Sequence, residues 1–346
     1  VVEAVFRKEA STIPLYKLLI RKMCMTLNER IQRLKTHKVY GNYYGIGLLF
    51  LLAFIFWAFF KILTPDNFGS LEGLSYYLQS SIIYSVGACG LYFIVTMGLF
   101  DFSIGANVVL SSIVGVILAK RFGYAGLIMG CVITGMIIGF LNGSIYVKLK
   151  IPSMIVTVGL MLIYESLAYF VAQGEKQSLD SNLRGLGVAP GNIILAAIMF
   201  VLAHLILKYT KMGTYAHAIG SNENMAKNMG ININKYKVLG FMILHFFTGV
   251  MAILAVSYGT SMTAVTEMSS MARNFTPLMG CFFGVAFRKY CSPIIAIVIG
   301  EFIISIIFNG FVALGAPTTI QNLITGAALL IIVALTLRSV KGAVVK

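Results

Sequence analysis

The sequence predicts an all-α integral membrane protein with about ten transmembrane helices, short loops and a basic N-terminal interfacial helix. Of its 346 residues, 58% are hydrophobic and 11% are charged, whereas soluble domains carry about 25% charged residues. At about 20 residues per membrane helix, this length accommodates about ten spans. It leaves no room for a separate globular catalytic domain.

The N-terminal segment, residues 1–43, differs from the rest of the chain. Nine lysines and arginines lie within its first 38 residues, and Leu15, Leu18 and Leu19 begin a partial apolar stripe at helical spacing. This combination predicts a basic helix lying on an anionic cytoplasmic membrane surface. A solvated tail is the alternative.

Charge-free apolar runs predict a ten-helix membrane domain over residues 44–337, followed by a cytoplasmic tail, residues 338–346. A turn at residues 313–317 divides the last long run, and the span at 273–288 is the shortest. The predicted spans are 44–61, 79–99, 102–119, 123–147, 153–172, 191–209, 238–259, 273–288, 292–311 and 318–337.

The distribution of basic residues predicts the orientation. With both termini in the cytoplasm, 21 of the 27 lysines and arginines fall on the cytoplasmic side of a ten-span topology. This agrees with the positive-inside rule. The net charge of +15 is therefore assigned to membrane topology and not to nucleic-acid binding.

Glycines four residues apart predict close helix packing within the fourth span. The pairs are Gly126/Gly130, Gly135/Gly139 and Gly139/Gly143. Such spacing lets helix backbones approach closely in a membrane.

Acidic residues within apolar sequence are expected to have a structural or functional role, because placing a charge at mid-membrane costs roughly 2.5–3.5 kcal/mol. Asp101 lies between Gly98 and Gly105, which suggests a sharp break in which Asp101 or Ser103 caps the next helix. Glu165 and Glu301 lie inside later spans, where each either pairs with a neighbouring helix or serves as a proton or cation site. Polar residues on apolar spans give the candidate translocation-path or structural set Asp101, Ser103, Asn107, Asn142 and Asn309.

Catalytic and cofactor motifs are missing from the sequence. It contains neither a G-x-x-x-x-G-K-[ST] phosphate-binding loop nor an H-E-x-x-H metal motif. We therefore predict a non-enzymatic chain without a metal or cofactor. Energy for uphill movement would come from another subunit or from an ion gradient.

A short capped helix is predicted in the loop at residues 210–237. Ser221 or Asn222 can cap it, Glu223 and Lys227 are spaced as an i,i+4 pair, and Gly230 suits the left-handed position after the helix. The helix presents an apolar side of Met225, Ala226 and Met229. A capped helix with an apolar side is suited to docking another protein.

Four sequence motifs of this chain resemble those of a known protein family. They are Ala218-x-Gly-x-Asn-x-x-x-Ala-x-x-x-Gly-Ile231 in this loop, Gly98-x-x-Asp-Phe-Ser-Ile-Gly105, Asn142-Gly143 followed by residues 149–157, and Phe308-Asn309-Gly310. In this order they resemble the ribose-type ABC importer permeases, which serve sugars, autoinducer-2 and some nucleosides. The similarity extends from about residue 44 to residue 337.

The resemblance implies partners and a mechanism. The loop would be the coupling helix that seats in a cytosolic ABC ATPase, through Gly220, Asn222, Glu223, Ala226, Gly230 and Ile231. A second permease chain, like or unlike, would complete the pathway, and an extracellular or periplasmic solute-binding protein would deliver a small-molecule solute. The implied location is the lipid bilayer of the bacterial plasma (inner) membrane.

The chain departs from the family pattern at several positions. Leu99 and Ser221 stand where the family commonly has glycine, and Met225 stands where it has alanine. A glycine-rich cytoplasmic turn of the family is replaced by residues 283–293, which include Arg288 and Lys289.

The function implied is alternating-access import of a sugar or sugar-like solute. A nucleoside or branched-chain amino-acid ABC permease is the nearest alternative. An ion-coupled secondary transporter that uses Glu165 or Glu301, and a non-transporting membrane scaffold, are the others.

Overall fold

The computed structural model describes residues 38–317 and residues 323, 326, 327 and 330. Within this part of the chain the protein has α-helices and two short 3₁₀-helices, with no β-strand beyond one isolated bridge. The α-helices are α1 (Lys38–Leu63), α2 (Leu71–Thr96), α3 (Ile104–Leu149), α4 (Ser153–Ala172), α5 (Gly191–Tyr209), α6 (Lys211–Ser221), α7 (Glu223–Asn228), α8 (Ile233–Ser257), α9 (Phe275–Phe287) and α10 (Pro293–Ala313). The 3₁₀-helices are Ser181–Leu186 and Ser269–Asn274.

Seven of these helices are long and apolar enough to cross a membrane: α1, α2, α3, α4, α5, α8 and α10. The all-helical membrane class is confirmed, whereas the count of about ten spans is not. Helix α9 has only 13 residues, which is short for a full crossing. Nearly all of the predicted tenth span, the C-terminal tail and the basic N-terminal helix lie outside the described residues.

Several predicted boundaries are shifted. The predicted spans 153–172 and 191–209 coincide with α4 and α5. Helix α2 begins eight residues before the predicted position 79, because Ser70 caps it by accepting a hydrogen bond from the Gly73 amide (3.0 Å). A cap supplies a partner for a free first-turn amide, so a helix can begin before its sequence becomes uniformly apolar.

Helix α3 is a hairpin with two arms. A straight helix of its 46 residues would be about 69 Å long, more than twice the bilayer core. Gly123 breaks it with φ 59° and ψ −142°, and the arms pack against each other. The Cys131 thiol donates to the Ser111 carbonyl (3.3 Å), and a Cβ on Gly130 would lie 2.8 Å from the Gly115 Cα. The predicted spans 102–119 and 123–147 are these two arms.

The second arm packs against α8 through the predicted glycines. A Cβ added to Gly139 would lie 2.7 Å from the Phe241 carbonyl oxygen, and one added to Gly143 would lie 2.8 Å from the Val238 Cα. Gly135 similarly faces the His245 carbonyl. Lipid gives helices no hydrophobic reason to associate, so this close backbone contact supplies van der Waals attraction instead.

We expect Gly139→Val to destabilise the protein by about 1–3 kcal/mol, because the added side chain would have to push α8 away. Gly159→Val on α4 is the control, since a Cβ there meets nothing within 4 Å. Unfolding of both variants in mixed micelles of increasing denaturing-detergent fraction measures the difference. Equal stability of the two variants would contradict the proposed close packing.

Candidate functional site

The backbone between α2 and α3 is irregular, and side chains of α4 and of the segment itself accept hydrogen bonds from its amides. The Phe100 amide donates to Ser153 Oγ (3.0 Å), and the Phe102 amide donates to Thr157 Oγ1 (3.1 Å). The Ser103 amide donates to Asp101 Oδ1 (2.6 Å). Non-helical backbone at membrane depth is tolerated only where protein or water supplies such partners. The predicted break is therefore present. The side chain of Asp101, and not that of Ser103, accepts a backbone hydrogen bond there.

Asp101 is also the centre of a buried polar network. His245 Nε2 lies 2.8 Å from Asp101 Oδ2, and Asn142 Nδ2 donates to the same oxygen (2.9 Å). Asn142 Nδ2 also lies 2.7 Å from Ser103 Oγ, while the Asn142 carbonyl oxygen accepts from the Tyr164 hydroxyl (2.7 Å). The network joins α3, α4 and α8 to the irregular segment.

The network continues along the first arm of α3. Asn107 Nδ2 lies 2.7 Å from His245 Nδ1, and Ser111 Oγ donates to Asn107 Oδ1 (2.6 Å). With Asp101 accepting at Nε2 and Asn107 donating at Nδ1, a neutral His245 with its proton on Nε2 satisfies both contacts. All of these side chains are buried. The network is therefore buried and joins helices from distant parts of the chain through hydrogen bonds.

Four of the five candidate polar residues come together in this network, and the fifth does not. Asn309 is on α10, where its Nδ2 donates to the Ser305 carbonyl (2.8 Å). His245 packs in this network as a hydrogen-bonded histidine. Its central position and the contribution of Tyr164 were not predicted, because only the packing of α8 and α4 brings them to Asp101.

The two other acidic residues have different environments. Glu165 accepts hydrogen bonds from the Met268 amide (3.0 Å) and the Ser270 amide (2.8 Å), so it holds the segment that leads into α9. Glu301 is buried against Gly280, and among the described residues neither of its carboxyl oxygens has a hydrogen-bond partner.

We expect Asn142→Leu, which preserves the side chain's approximate size, to destabilise the protein by about 2 kcal/mol or more. It would leave Tyr164 and one oxygen of Asp101 with fewer partners, and an unsatisfied buried polar group costs about 1–3 kcal/mol. Ser112→Ala is the control, since this buried hydroxyl has no hydrogen-bond partner within the described chain. The free energy of unfolding in micelles is measured. A loss for Ser112→Ala as large as that for Asn142→Leu would contradict the network's role.

The predicted capped helix in the 210–237 loop is α7, which comes directly after α6. Asn222 Oδ1 accepts from the Met225 amide (3.0 Å), which makes Asn222 the cap. Gly230 has φ +82°, the predicted left-handed conformation. The Ile231 amide donates back to the Ala226 carbonyl (3.2 Å), which closes the turn.

The predicted ion pair within α7 is wrong. Glu223 pairs with Lys237 of α8 through both carboxylate oxygens (2.9 and 3.0 Å), and not with Lys227. Lys237 Nζ also lies 5.4 Å from the centre of the Tyr146 ring. Lys237 is largely buried and lies within hydrogen-bond distance of Glu223, whereas Lys227 is exposed. The pairing with Lys237 connects the loop to α3 and α8.

The apolar side of α7 consists of two exposed methionines. Met225 and Met229 are 60% and 71% exposed, whereas Ala226 is 1% exposed and packs inward, contrary to its predicted place on this side. Gly220 holds α6 against the end of α2, because a Cβ there would collide with the Thr96 carbonyl oxygen. Two exposed methionines thus project from α7 and from the residue that follows it, and the ion pair to Lys237 fixes this helix to α8.

Residues 73–333 match the model of the family described as the branched-chain amino acid transport system / permease component. This match covers most of the chain. The chain belongs to this permease family. The expected resemblance to importer permeases is confirmed at that level.

The permease is similar to several curated relatives along most of its length. The L-arabinose transport system permease protein AraH of Escherichia coli K12 is 26% identical over 298 residues, which cover 83% of this chain and 88% of AraH. The ribose import permease protein RbsC of the same strain is 25% identical over 308 residues, with 83% and 91% covered. The autoinducer 2 import system permease protein LsrC of Yersinia pseudotuberculosis is 24% identical over 302 residues, with 84% of each chain covered. No solved structure matches the permease.

We expect Lys237→Gln to loosen α7 in the permease, because it removes the cation that holds Glu223. Since Glu223 is half exposed, the pair contributes only about 0.5–1 kcal/mol, or roughly a two- to fivefold faster amide exchange across residues 222–231. Lys227→Gln is the matched control and should leave the exchange rates unchanged. Exchange measured by mass spectrometry tests this, and an equal effect of both variants would contradict it.

Proposed function

We propose that this chain is the membrane permease subunit of an ATP-binding-cassette importer for a sugar or sugar-like solute. The observation that carries the proposal is the family match over residues 73–333, together with relatives whose names specify transport of arabinose, ribose and autoinducer 2. The chain itself would hydrolyse no ATP. A cytosolic ATPase would do so.

The geometry of the 210–237 loop supports an ATPase-docking role. Its exposed pair, Met225 and Met229, gives a small adaptable apolar contact. The cap at Asn222 and the ion pair to Lys237 fix that contact to α8, so force applied to the loop would reach α3 and α8 directly. Gly220, Ala226, Gly230 and Ile231 would maintain the shape of the loop rather than touch the ATPase.

The same proposal includes the remaining partners and the orientation. The loop and both termini would face the cytoplasm of a bacterial cell, with the chain spanning the inner membrane several times. Two permease chains, like or unlike, would surround one path. A solute-binding protein on the outer side would supply the selectivity, and alternating access would move the solute.

Within this mechanism we assign the buried network a mechanical role. Asp101 in the irregular segment is bonded to His245 of α8 at 2.8 Å and to Asn142 of α3 at 2.9 Å, and Tyr164 adds α4. A fully satisfied buried network resists separation of its helices. These helices would therefore move as one body when the loop is pulled, and solute would pass along another surface.

A branched-chain amino acid is the second candidate solute, because the description of the matching family names it. Ion-coupled transport is less well supported, since Glu165 is occupied with two backbone amides. Glu301, whose oxygens have no partner among the described residues, is the residue on which that alternative would depend.

We expect the double variant Met225→Asp/Met229→Asp to lose at least nine-tenths of the ATPase that co-purifies with the tagged chain from native membranes. Two charges would replace the apolar contact, whereas the fold is unaffected because both positions are exposed. Asn224→Asp, which adds a charge to the same helix, is the control. Normal ATPase recovery with the double variant would contradict the docking assignment.

Transport itself is tested by reconstitution of the co-purified complex in vesicles, with binding protein and ATP supplied from defined sides. Uptake of labelled pentoses, a nucleoside and leucine discriminates among the solutes. ATP-dependent pentose uptake is expected. Uptake driven by a proton gradient without ATP, and abolished by Glu301→Gln, would overturn the importer proposal.

A further inference from the structure

A cavity of about 650 Å³ opens beside the 210–237 loop. It lies between the ends of α2 and α5, helix α6 and the turn that joins α9 to α10. This turn is the segment that stands in place of the family's glycine-rich turn. Its lining includes Tyr92, Lys208, His217, Arg288, Lys289 and Ser292.

The lining is strongly cationic. Lys208, Arg288 and Lys289 contribute three positive charges, and the lining contains no aspartate or glutamate within the part of the chain that the structure describes. Burial and the positive charge of Arg288 both lower the pKa of His217. Three cations around one opening without a counter-ion in its lining favour an anionic occupant.

Neutral hydrogen-bond donors complete the lining. The Tyr92 side chain is buried and lines the cavity. The Ser292 hydroxyl lies nearby, 3.5 Å from His204 Nδ1. Cations combined with hydroxyl and imidazole groups match the several oxygens of a phosphate group.

The position of the cavity indicates which kind of phosphate-bearing ligand could reach it. Helix α5 exposes Val201 and Leu205 and then ends at Lys208 and Tyr209, with Lys208 Nζ 5.4 Å from the Tyr209 ring centre. Lysine and tyrosine at the end of an apolar helix are typical of the membrane–water interface. Basic pockets between membrane helices at this depth are suited to lipid headgroups.

We propose that this cavity binds the phosphate group of an anionic ligand, held by Arg288, Lys289 and Lys208. The headgroup of an anionic phospholipid is the source that the location favours. A soluble phosphate compound offers the same chemistry. The inference does not depend on the transported solute, because it rests on the residues between α6 and the 288–292 turn alone.

The experiment uses the full chain in nanodiscs of phosphatidylcholine with about 0–30% phosphatidylglycerol. Native mass spectrometry counts retained lipids, and thermal unfolding reports stabilisation. A parallel arm adds about 10 mM inorganic phosphate or glycerol 3-phosphate to pure phosphatidylcholine discs. Retention of phosphatidylglycerol supports the lipid source, whereas stabilisation only by the soluble compounds supports the same site with a soluble ligand.

The discriminating variant is Arg288→Gln/Lys289→Gln, and Lys148→Gln/Lys150→Gln is its control. The control removes the same charge from residues at the end of α3, outside the cavity. At about 1 kcal/mol per basic residue, the first variant should weaken binding of the anion roughly 10- to 30-fold, and the control less than twofold. Lys208→Gln, at an exposed helix end, provides a second test should the double variant fold poorly.

Three outcomes would overturn the proposal. Equal losses in both double variants would indicate diffuse attraction to the charged surface. Unchanged binding in Arg288→Gln/Lys289→Gln and in Lys208→Gln would show that the anion binds elsewhere. Unchanged anion binding together with reduced ATPase recovery would assign these cations to an acidic segment of the ATPase.

Discussion

The structure depends on one constraint: each backbone amide at membrane depth needs a partner from the protein, because hydrocarbon provides none. Regular helices meet this requirement within themselves. The segment between α2 and α3 does not, so Ser153, Thr157 and Asp101 accept its hydrogen bonds. Ser153 and Thr157 belong to α4, so their bonds fix where α4 lies relative to the start of α3. Helix α3 in turn carries the glycines that receive α8.

The buried carboxylate of Asp101 also needs hydrogen-bond donors. His245 and Asn142 approach it from α8 and from the second arm of α3. This is possible only because Gly135, Gly139 and Gly143 let those two helices come into backbone contact. The glycine stripe and the polar network therefore depend on each other. Close packing at the glycines sets the distance between the second arm of α3 and α8, and the hydrogen bonds set how the two helices are aligned along their axes.

The loop at 210–237 extends this rigid unit to one face of the membrane domain. Lys237 belongs to α8 and holds Glu223, while Gly220 seats α6 on the end of α2. A load on α7 would pass into α8 and α2, the two most buried of the membrane-length helices in the described chain, instead of being lost in a flexible loop. The cationic cavity shares α6 with this loop, so an anion bound there would contact the same rigid unit.

The sequence by itself determined the class of protein, most helix positions, the break at Asp101, the cap at Asn222 and the turn at Gly230. These features depend on composition or on residues within a few positions of one another, and such local preferences can be read along the chain. Family membership was also predicted, because it rests on the order and spacing of short motifs.

Only the tertiary structure decided which distant residues meet. It placed His245 and Tyr164 beside Asp101 and Asn142, gave Glu223 to Lys237 instead of Lys227, turned Ala226 inward and left Asn309 apart from the network. It also gathered the cations around one cavity. The physical reason is that these contacts depend on how helices from distant parts of the chain cross, and spacing within a single helix carries no information about that.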